Sequence, residues 1–462
     1  MVARLSNTVR DYAWGSPTAI PALLGVSPDG SPQAELWMGA HESAPSVLPS
    51  GESLYDLVSA SPSEVLGAET AERFDGRFPF LAKILAAAQP LSIQAHPSPE
   101  QAVDGYRRDE EAGIPRDAGD RNYKDSWPKP EILIALEPFD ALVGFRPLDR
   151  TVALLEALDA AALEGLTASL RDGKLREAFT EFMSSDRDAI RPLVAALGAA
   201  CDRYVADARV GAADADAPGA DADARVVDVD ARVGDVDARV ADADVDARVA
   251  EVDARVAAAD DAPGASGDTA PAPARAPAGE FLVEAETLAR LAVDFPDDPG
   301  VLAALLLNRV RLERFESVYL PAGNVHAYLR GTGFEVMANS DNVLRGGLTS
   351  KHVDVPELVS VIDFEPLADP LLRGVSVAPG VTAYETGSPY FAVRRVDLAG
   401  DAVVVPAEGA RIVAVVDGEV TVGAEGTDET EALAGGQSAF LRGPEGPCNL
   451  RGSGTAFVVS AR

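Results

Sequence analysis

Apolar positions change their spacing several times along the chain. Segments 81–85, 91–96, 132–136 and 317–320 are short, apolar and bounded by Pro or Gly, which predicts strands. Leu154, Leu155, Leu158, Leu163 and Leu166, then Phe179, Phe182 and Met183, recur at helical spacing over 149–204. The helical period returns over 281–291 and 300–312, where Leu302, Leu305 and Leu306 share a face. Pro296 and Pro299 separate those two helices. Asp297 and Asp298 stand at the N-terminal side of the second, where the helix dipole favours anions. From Val375 onward only strand patterns occur: 390–396, 412–416, 420–422 and 439–441, with Asp417-Gly418 between two apolar runs as a hairpin signal. The chain therefore reads as mainly β with an α-helical insertion. The division is a discontinuous β domain (1–148 and 313–369), a helical domain (149–204 and 280–312) and a smaller C-terminal β domain (370–462).

Residues 205–279 interrupt the helical domain. The tetrapeptide Asp-Ala-Arg-Val occurs six times there, at intervals too irregular for a heptad, and the stretch ends in Pro-Ala-Pro-Ala-Arg-Ala-Pro. It has no aromatic residue, and burial of Ala and Val alone would not offset an ordering entropy of about 1–2 kcal/mol per residue. The expectation is a solvated, disordered, low-complexity insertion.

Charge narrows the function classes. The 462 residues carry a formal charge of −34. Nucleic acid and anionic membrane both call for a basic face, so neither is an expected partner. Two cysteines, Cys201 and Cys448, allow no disulfide framework and no cysteine zinc site. The N-terminal residues lack the apolar core of a signal peptide, and no apolar run reaches the roughly 18 residues of a spanning helix. A soluble cytoplasmic protein is expected. Histidine is scarce: His41, His96, His326 and His352 are all there are, so a metal or acid–base site using two histidines must choose among four.

Four segments carry candidate chemistry. In Leu91-Ser92-Ile93-Gln94-Ala95-His96-Pro97, strand alternation sends Ser92, Gln94 and His96 to one face. Three consecutive polar groups on one face require hydrogen bonds, a ligand, or an edge position in water. In Lys129-Pro130-Glu131, Pro130 biases Lys129 toward extended backbone, and Lys129 and Glu131 share a face. Pro321-Ala-Gly323-Asn-Val-His326 is a tight turn with a histidine opening the returning strand. The run from Phe334 to Asp354 interleaves Glu335, Asn339, Asp341, Asn342, Arg345 and Lys351 with glycines, as suits a loop organised around an anion.

Taken together with Tyr12-x-Trp14-Gly15, Ala34-Glu-Leu-Trp-Met-Gly-x-His41 and Phe80-x-x-Lys83, these motifs closely resemble the zinc-dependent type I mannose-6-phosphate isomerases of the cupin superfamily, over all of the chain except 205–279. The resemblance implies a cupin-type jelly-roll catalytic domain, a helical domain, and a C-terminal cupin-like β domain without metal, since no histidine lies beyond His352. It implies one zinc per chain held by Gln94, His96, Glu131 and His326. Arg345, Lys129, Asp341 and Glu335 fall on active-site positions, and Ser92 and Lys83 on the phosphate end of the substrate. The implied reaction interconverts D-mannose 6-phosphate and D-fructose 6-phosphate through a zinc-stabilised cis-enediol(ate) in a monomer acting on a small sugar phosphate. Lys129, Glu335 and Asp341 all remain open as the general base. His41 and His352 are expected at structural or rim positions. The alternative is a catalytically silent zinc cupin that binds sugar phosphate as a sensor. Departures from the family pattern are Glu42 after His41 and Ser350 before Lys351, neither at an implied ligand.

Overall fold

The structure is a computed structural model that describes residues 1–215, 279–406 and 409–462. Two antiparallel assemblies and a helical block make up the described chain. The larger assembly has eleven strands and centres on the strand His326–Ala338. The first part of this strand pairs with Gln94–Ala95 and Phe139–Phe145, and the second part with Phe80–Ala87 and Glu131–Ala135. One strand thus serves both sheets of a jelly roll, which needs a sharp bend between them. Gly331, at φ +128°, supplies it where a Cβ would lie 2.7 Å from the Phe139 ring. The predicted segments 81–85, 132–136 and 317–320 are strands, observed as Phe80–Ala87, Glu131–Ala135 and Ser317–Leu320.

Several expectations need correction. Only Gln94–Ala95 of the segment 91–96 is strand, because Ile93 is diverted to bond Gly346 and Gly347 of the opposing loop. The helix expected over 300–312 stops at Leu306, and Leu307–Leu312 is a strand paired with Phe139–Phe145. A continuous apolar run hides that change of period, and Arg309 reaching Asp140 at 2.7 Å marks it only in three dimensions. No hairpin forms at Asp417-Gly418. The strand Arg411–Ala424 runs straight through, with a bulge between Val415 and Asp417. Gly418 takes φ +76° there because a Cβ would lie 2.0 Å from the Ser453 carbonyl oxygen.

Two domain boundaries also move. The N-terminal strand Val2–Leu5 pairs with Ser438–Leu441 and so belongs to the nine-stranded C-terminal sheet. The helix Arg187–Ala215 continues beyond residue 204, through Ala-rich sequence whose first proline is Pro218. The rest of the insertion lies outside the described residues.

Three further helices, Leu148–Leu158, Glu164–Arg171 and Leu175–Met183, bury the predicted apolar stripe. Their core is continuous with Ile93, Ala95 and Leu344, which back the polar segments described next. The nine-stranded C-terminal sheet packs on the eleven-stranded assembly through Phe334 and Phe457, whose rings stack at 4.4 Å.

Candidate metal centre and active site

Three buried side chains converge on one point. The Nε2 atoms of His96 and His326 each lie 3.4 Å from Glu131 Oε2, and all three atoms are buried without a hydrogen-bond partner. Local sequence explains the meeting. Gly323, at φ +79° in the Pro321 turn, donates its N–H to the His96 carbonyl at 2.9 Å, tying the two histidine segments together. His96 Nδ1 lies 2.8 Å from the Asn342 carbonyl, and His326 Nδ1 3.2 Å from the Asn324 carbonyl. A carbonyl can only accept, so Nδ1 carries a proton in both rings, and in a neutral ring the Nε2 lone pair faces Glu131. Burial pushes the His96 pKa down to about 4, further disfavouring a proton on Nε2. Burial alone would raise the Glu131 pKa, but Lys129, with Nζ 2.8 Å from Oε1, and the two histidines hold it well below the carboxylate range. Two imidazole lone pairs and one carboxylate oxygen, orphaned and within 4.8 Å of one another, are a donor set for a cation such as zinc. Register places Gln94 opposite both His326 and Arg345.

Behind this centre lies a second charged cluster. Lys83 Nζ lies 3.1 Å from Glu335 Oε2 and 3.6 Å from Glu35 Oε1, with the lysine side chain 7% exposed. Tyr328 donates to Glu335 Oε1 at 2.9 Å, and Trp37 Nε1 to Glu35 Oε2 at 2.7 Å. Burial works against the lysine charge, but the two carboxylates outweigh it and raise its pKa above the ordinary range. The Glu335 pKa is raised by burial despite Lys83. The expectation that Lys83 grips a phosphate finds no support in this placement, since its ammonium is already paired with two buried carboxylates. Glu335 likewise has both oxygens engaged and is 2% exposed, so it faces no open space as a base.

Asp341 lies within the electrostatic reach of Lys129 and Lys83. Its side chain is 48% exposed, and Oδ1 lies 3.4 Å from His41 Nε2. Ser43 donates its backbone N–H to His41 Nδ1 at 3.2 Å, so the His41 proton sits on Nε2 and points at Asp341. Burial would raise the Asp341 pKa, but the His41 hydrogen bond, with the charges of Lys129 and Lys83, holds it at about 2. The pair borders a cavity of about 520 Å³ that Arg77, Arg116 and Asp125 also line. His41 is therefore buried and bonded to Asp341, a role the sequence did not reveal, whereas His352 is exposed.

Arg345, half-buried, follows Leu344 on a short strand paired with Gln94–Ala95. Burial lowers its pKa. Lys351 is lowered by burial and by the charges of Arg345 and Lys124, so these three cations share one neighbourhood. The scarcity of lysine in the Phe334–Asp354 run was the signal that could have singled out Lys351. Ser92, partly buried, lies two residues before Gln94.

Known proteins resemble this chain in sequence and fold. The model of the type I phosphomannose isomerase catalytic domain matches residues 2–148, and that of the mannose-6-phosphate isomerase cupin domain matches residues 380–461. The chain is 32% identical to the mannose-6-phosphate isomerase of Escherichia coli K12 and 33% identical to that of Salmonella typhimurium, in each case over 98% of this chain and 97% of the relative. A crystal structure of a zinc-bound mannose 6-phosphate isomerase superimposes with a TM-score of 0.77 at 31% identity, covering 100% of this chain and 99% of the other. Among the described residues, no helix is long and apolar enough to cross a membrane. By sequence along its whole length and by fold, the chain belongs to the type I phosphomannose isomerase family.

Proposed function

We propose that this chain is a mannose-6-phosphate isomerase, interconverting D-mannose 6-phosphate and D-fructose 6-phosphate with one zinc per chain. The observation that carries the reading is the convergence of His96 Nε2, His326 Nε2 and Glu131 Oε2, buried and without hydrogen-bond partners, beside Lys129. His96, Glu131 and His326 would hold the zinc, with Gln94 as the fourth ligand by its register. Zinc bound there supplies a Lewis-acidic charge for the sugar oxygens and engages the negative charge of Glu131.

Placement supports a role for each remaining residue. The phosphate dianion meets the cations of Arg345, Lys351 and Lys124, with Ser92 nearby as a hydroxyl donor. Arg345 also stabilises the enediolate, because its fixed pair of donors suits an oxygen anion that forms only in the transition state. Asp341, held at a pKa of about 2, is too weak a base to remove a carbon-bound proton efficiently at neutral pH. Lys129 is left as the group to move the proton between C1 and C2, a role it can fill only as the neutral amine, and the Asp341–His41 pair exchanges protons with sugar hydroxyls during ring opening. Glu335 and Lys83 keep the Tyr328 side of the centre in place.

The reading extends to a monomeric enzyme of the cytoplasm. Free, buried Cys201 and Cys448 suit a reducing compartment. A coupled assay of fructose 6-phosphate formation, before and after chelation and with zinc restored, tests the proposal. Turnover lost with the metal and regained with it is expected. Zinc and sugar phosphate binding without turnover would return the reading to a sensor.

A further inference from the structure

We infer that Asp298 is a positioning residue for Arg345, coupling the helical block to the active-site turn. The inference rests on the catalytic role proposed for Arg345. Asp298 lies in the Pro-Asp-Asp-Pro-Gly segment before the helix Gly300–Leu306 and is 5% exposed, while Asp297 turns outward to Arg187 and Arg191. Its carboxylate accepts three backbone N–H groups: Gly300 at 2.7 Å and Leu348 at 3.0 Å on Oδ1, and Thr349 at 3.1 Å on Oδ2. Only the first belongs to its own helix. The other two are consecutive amides of the turn that follows Arg345.

That turn is one the backbone does not favour. Gly347 has φ +103°, and Leu348, a γ-branched residue, has φ +53°. A Cβ on Gly347 would lie 2.5 Å from the Gly300 Cα, so turn and helix start are in direct contact. On the other side, Gly346 N donates to the Ile93 carbonyl at 2.7 Å, and Ile93 N to the Gly347 carbonyl at 3.0 Å. The turn is thus clamped between the segment that carries Gln94 and His96 and the carboxylate of Asp298. Arg345 lies three residues before the first amide that Asp298 holds, and Lys351 two residues after the last. Lys351 N itself donates to Thr349 Oγ1 at 3.1 Å. Two charge-assisted bonds keep Leu348 in the left-handed region, and with it the direction in which the chain leaves Arg345. An amide in place of the carboxylate would set an NH₂ group against backbone donors and release one arm of the clamp.

The test is a double-mutant cycle on zinc-loaded protein with metal content measured: Asp298→Asn, Arg345→Lys and both together, with kcat and KM for mannose 6-phosphate. Asp298→Asn should keep full zinc and lower kcat about tenfold, since a displacement of about 1 Å costs up to about 10²-fold. In the Arg345→Lys background the same change should lower kcat less than about twofold, because the guanidinium it positions is already gone. Leu348→Gly should restore part of the kcat lost in Asp298→Asn, since glycine adopts this turn unaided. Wild-type kcat in Asp298→Asn, lost zinc, or effects that multiply fully would overturn the inference. If Arg345→Lys alone leaves kcat unchanged, the proposed role of Arg345 fails instead, and the inference with it. Should Asp298→Asn be insoluble, Gly300→Ala places a methyl 2.5 Å from Leu348 N and carries the same expectation. Insolubility of both would make the contact purely structural and overturn the assignment.

Discussion

Replacing Lys83 by methionine separates a buried charge clamp from a phosphate contact. Its ammonium lies 3.1 Å from Glu335 and 3.6 Å from Glu35. At an effective dielectric of about 20, each pairing is worth about 5 kcal/mol before desolvation. Burying the ammonium costs several kcal/mol, so the net gain is much smaller than the sum. The substitution has a harsher effect than that net figure, because it leaves two carboxylates buried without their cation. Breaking a buried pair from one side costs about 3–5 kcal/mol, and that is the destabilisation expected for Lys83→Met in urea unfolding of the zinc-loaded protein. The Glu335 pKa is already raised by burial and must rise further without Lys83. A carboxyl whose folded pKa exceeds its unfolded value binds more protons when folded, so its stability contribution falls as pH rises. The deficit of Lys83→Met relative to wild type should therefore shrink between pH 8 and pH 5. Lys83→Met/Glu335→Gln should recover part of it at pH 8. A variant as stable as wild type whose only defect is a tenfold higher KM would refute this reasoning and make Lys83 a phosphate ligand.

His326→Ala removes one of two imidazole donors, and metal analysis should find zinc lost or much weakened; full stoichiometric zinc would sink the ligand assignment. Deleting residues 207–278 should leave kcat nearly intact. Gly279 approaches Ala208 closely enough that a Cβ would lie 3.9 Å away, so a chain cut at that level of the helix can be rejoined there; loss of more than half the activity in soluble protein would show a role for the segment. Asp341 ionises at about 2 in the folded protein against an ordinary 3.8, so its contribution is complete above pH 4 and is lost as pH falls toward 2. Unfolding curves of Asp341→Asn should accordingly approach those of wild type over that interval, and a constant gap would refute the His41 pairing. Arg345→Lys should mainly lower kcat, by roughly tenfold or more, because lysine offers no fixed pair of donors; unchanged kcat with raised KM would place Arg345 at the phosphate alone.

The convergence of His96, Glu131 and His326 was legible because each belongs to a short motif whose backbone consequence is local: an alternating polar face before Pro97 for His96, an extended dipeptide before Glu131, a turn before His326. What the sequence concealed is how distant segments divide the charges among themselves. Lys83 and Glu335 are 252 residues apart and look like two independent active-site groups, yet they neutralise each other. His41 reads from the sequence only as a structural or rim residue because its partner, Asp341, lies 300 positions away. The Asp417-Gly418 dipeptide misled for a related reason. Local turn chemistry permits a hairpin, but a 14-residue strand with neighbours on both sides gains more from continuing, and it uses the same glycine for a bulge. Asp298 shows the converse. At the helix start its position invites a dipole explanation, and Gly300 N does bond it, but two of its three donors come from the active-site turn. A buried carboxylate serving two elements at once constrains both, so the helical block is part of what sets Arg345. That coupling follows from the pairing of segments 50 residues apart, a relation that no local pattern records.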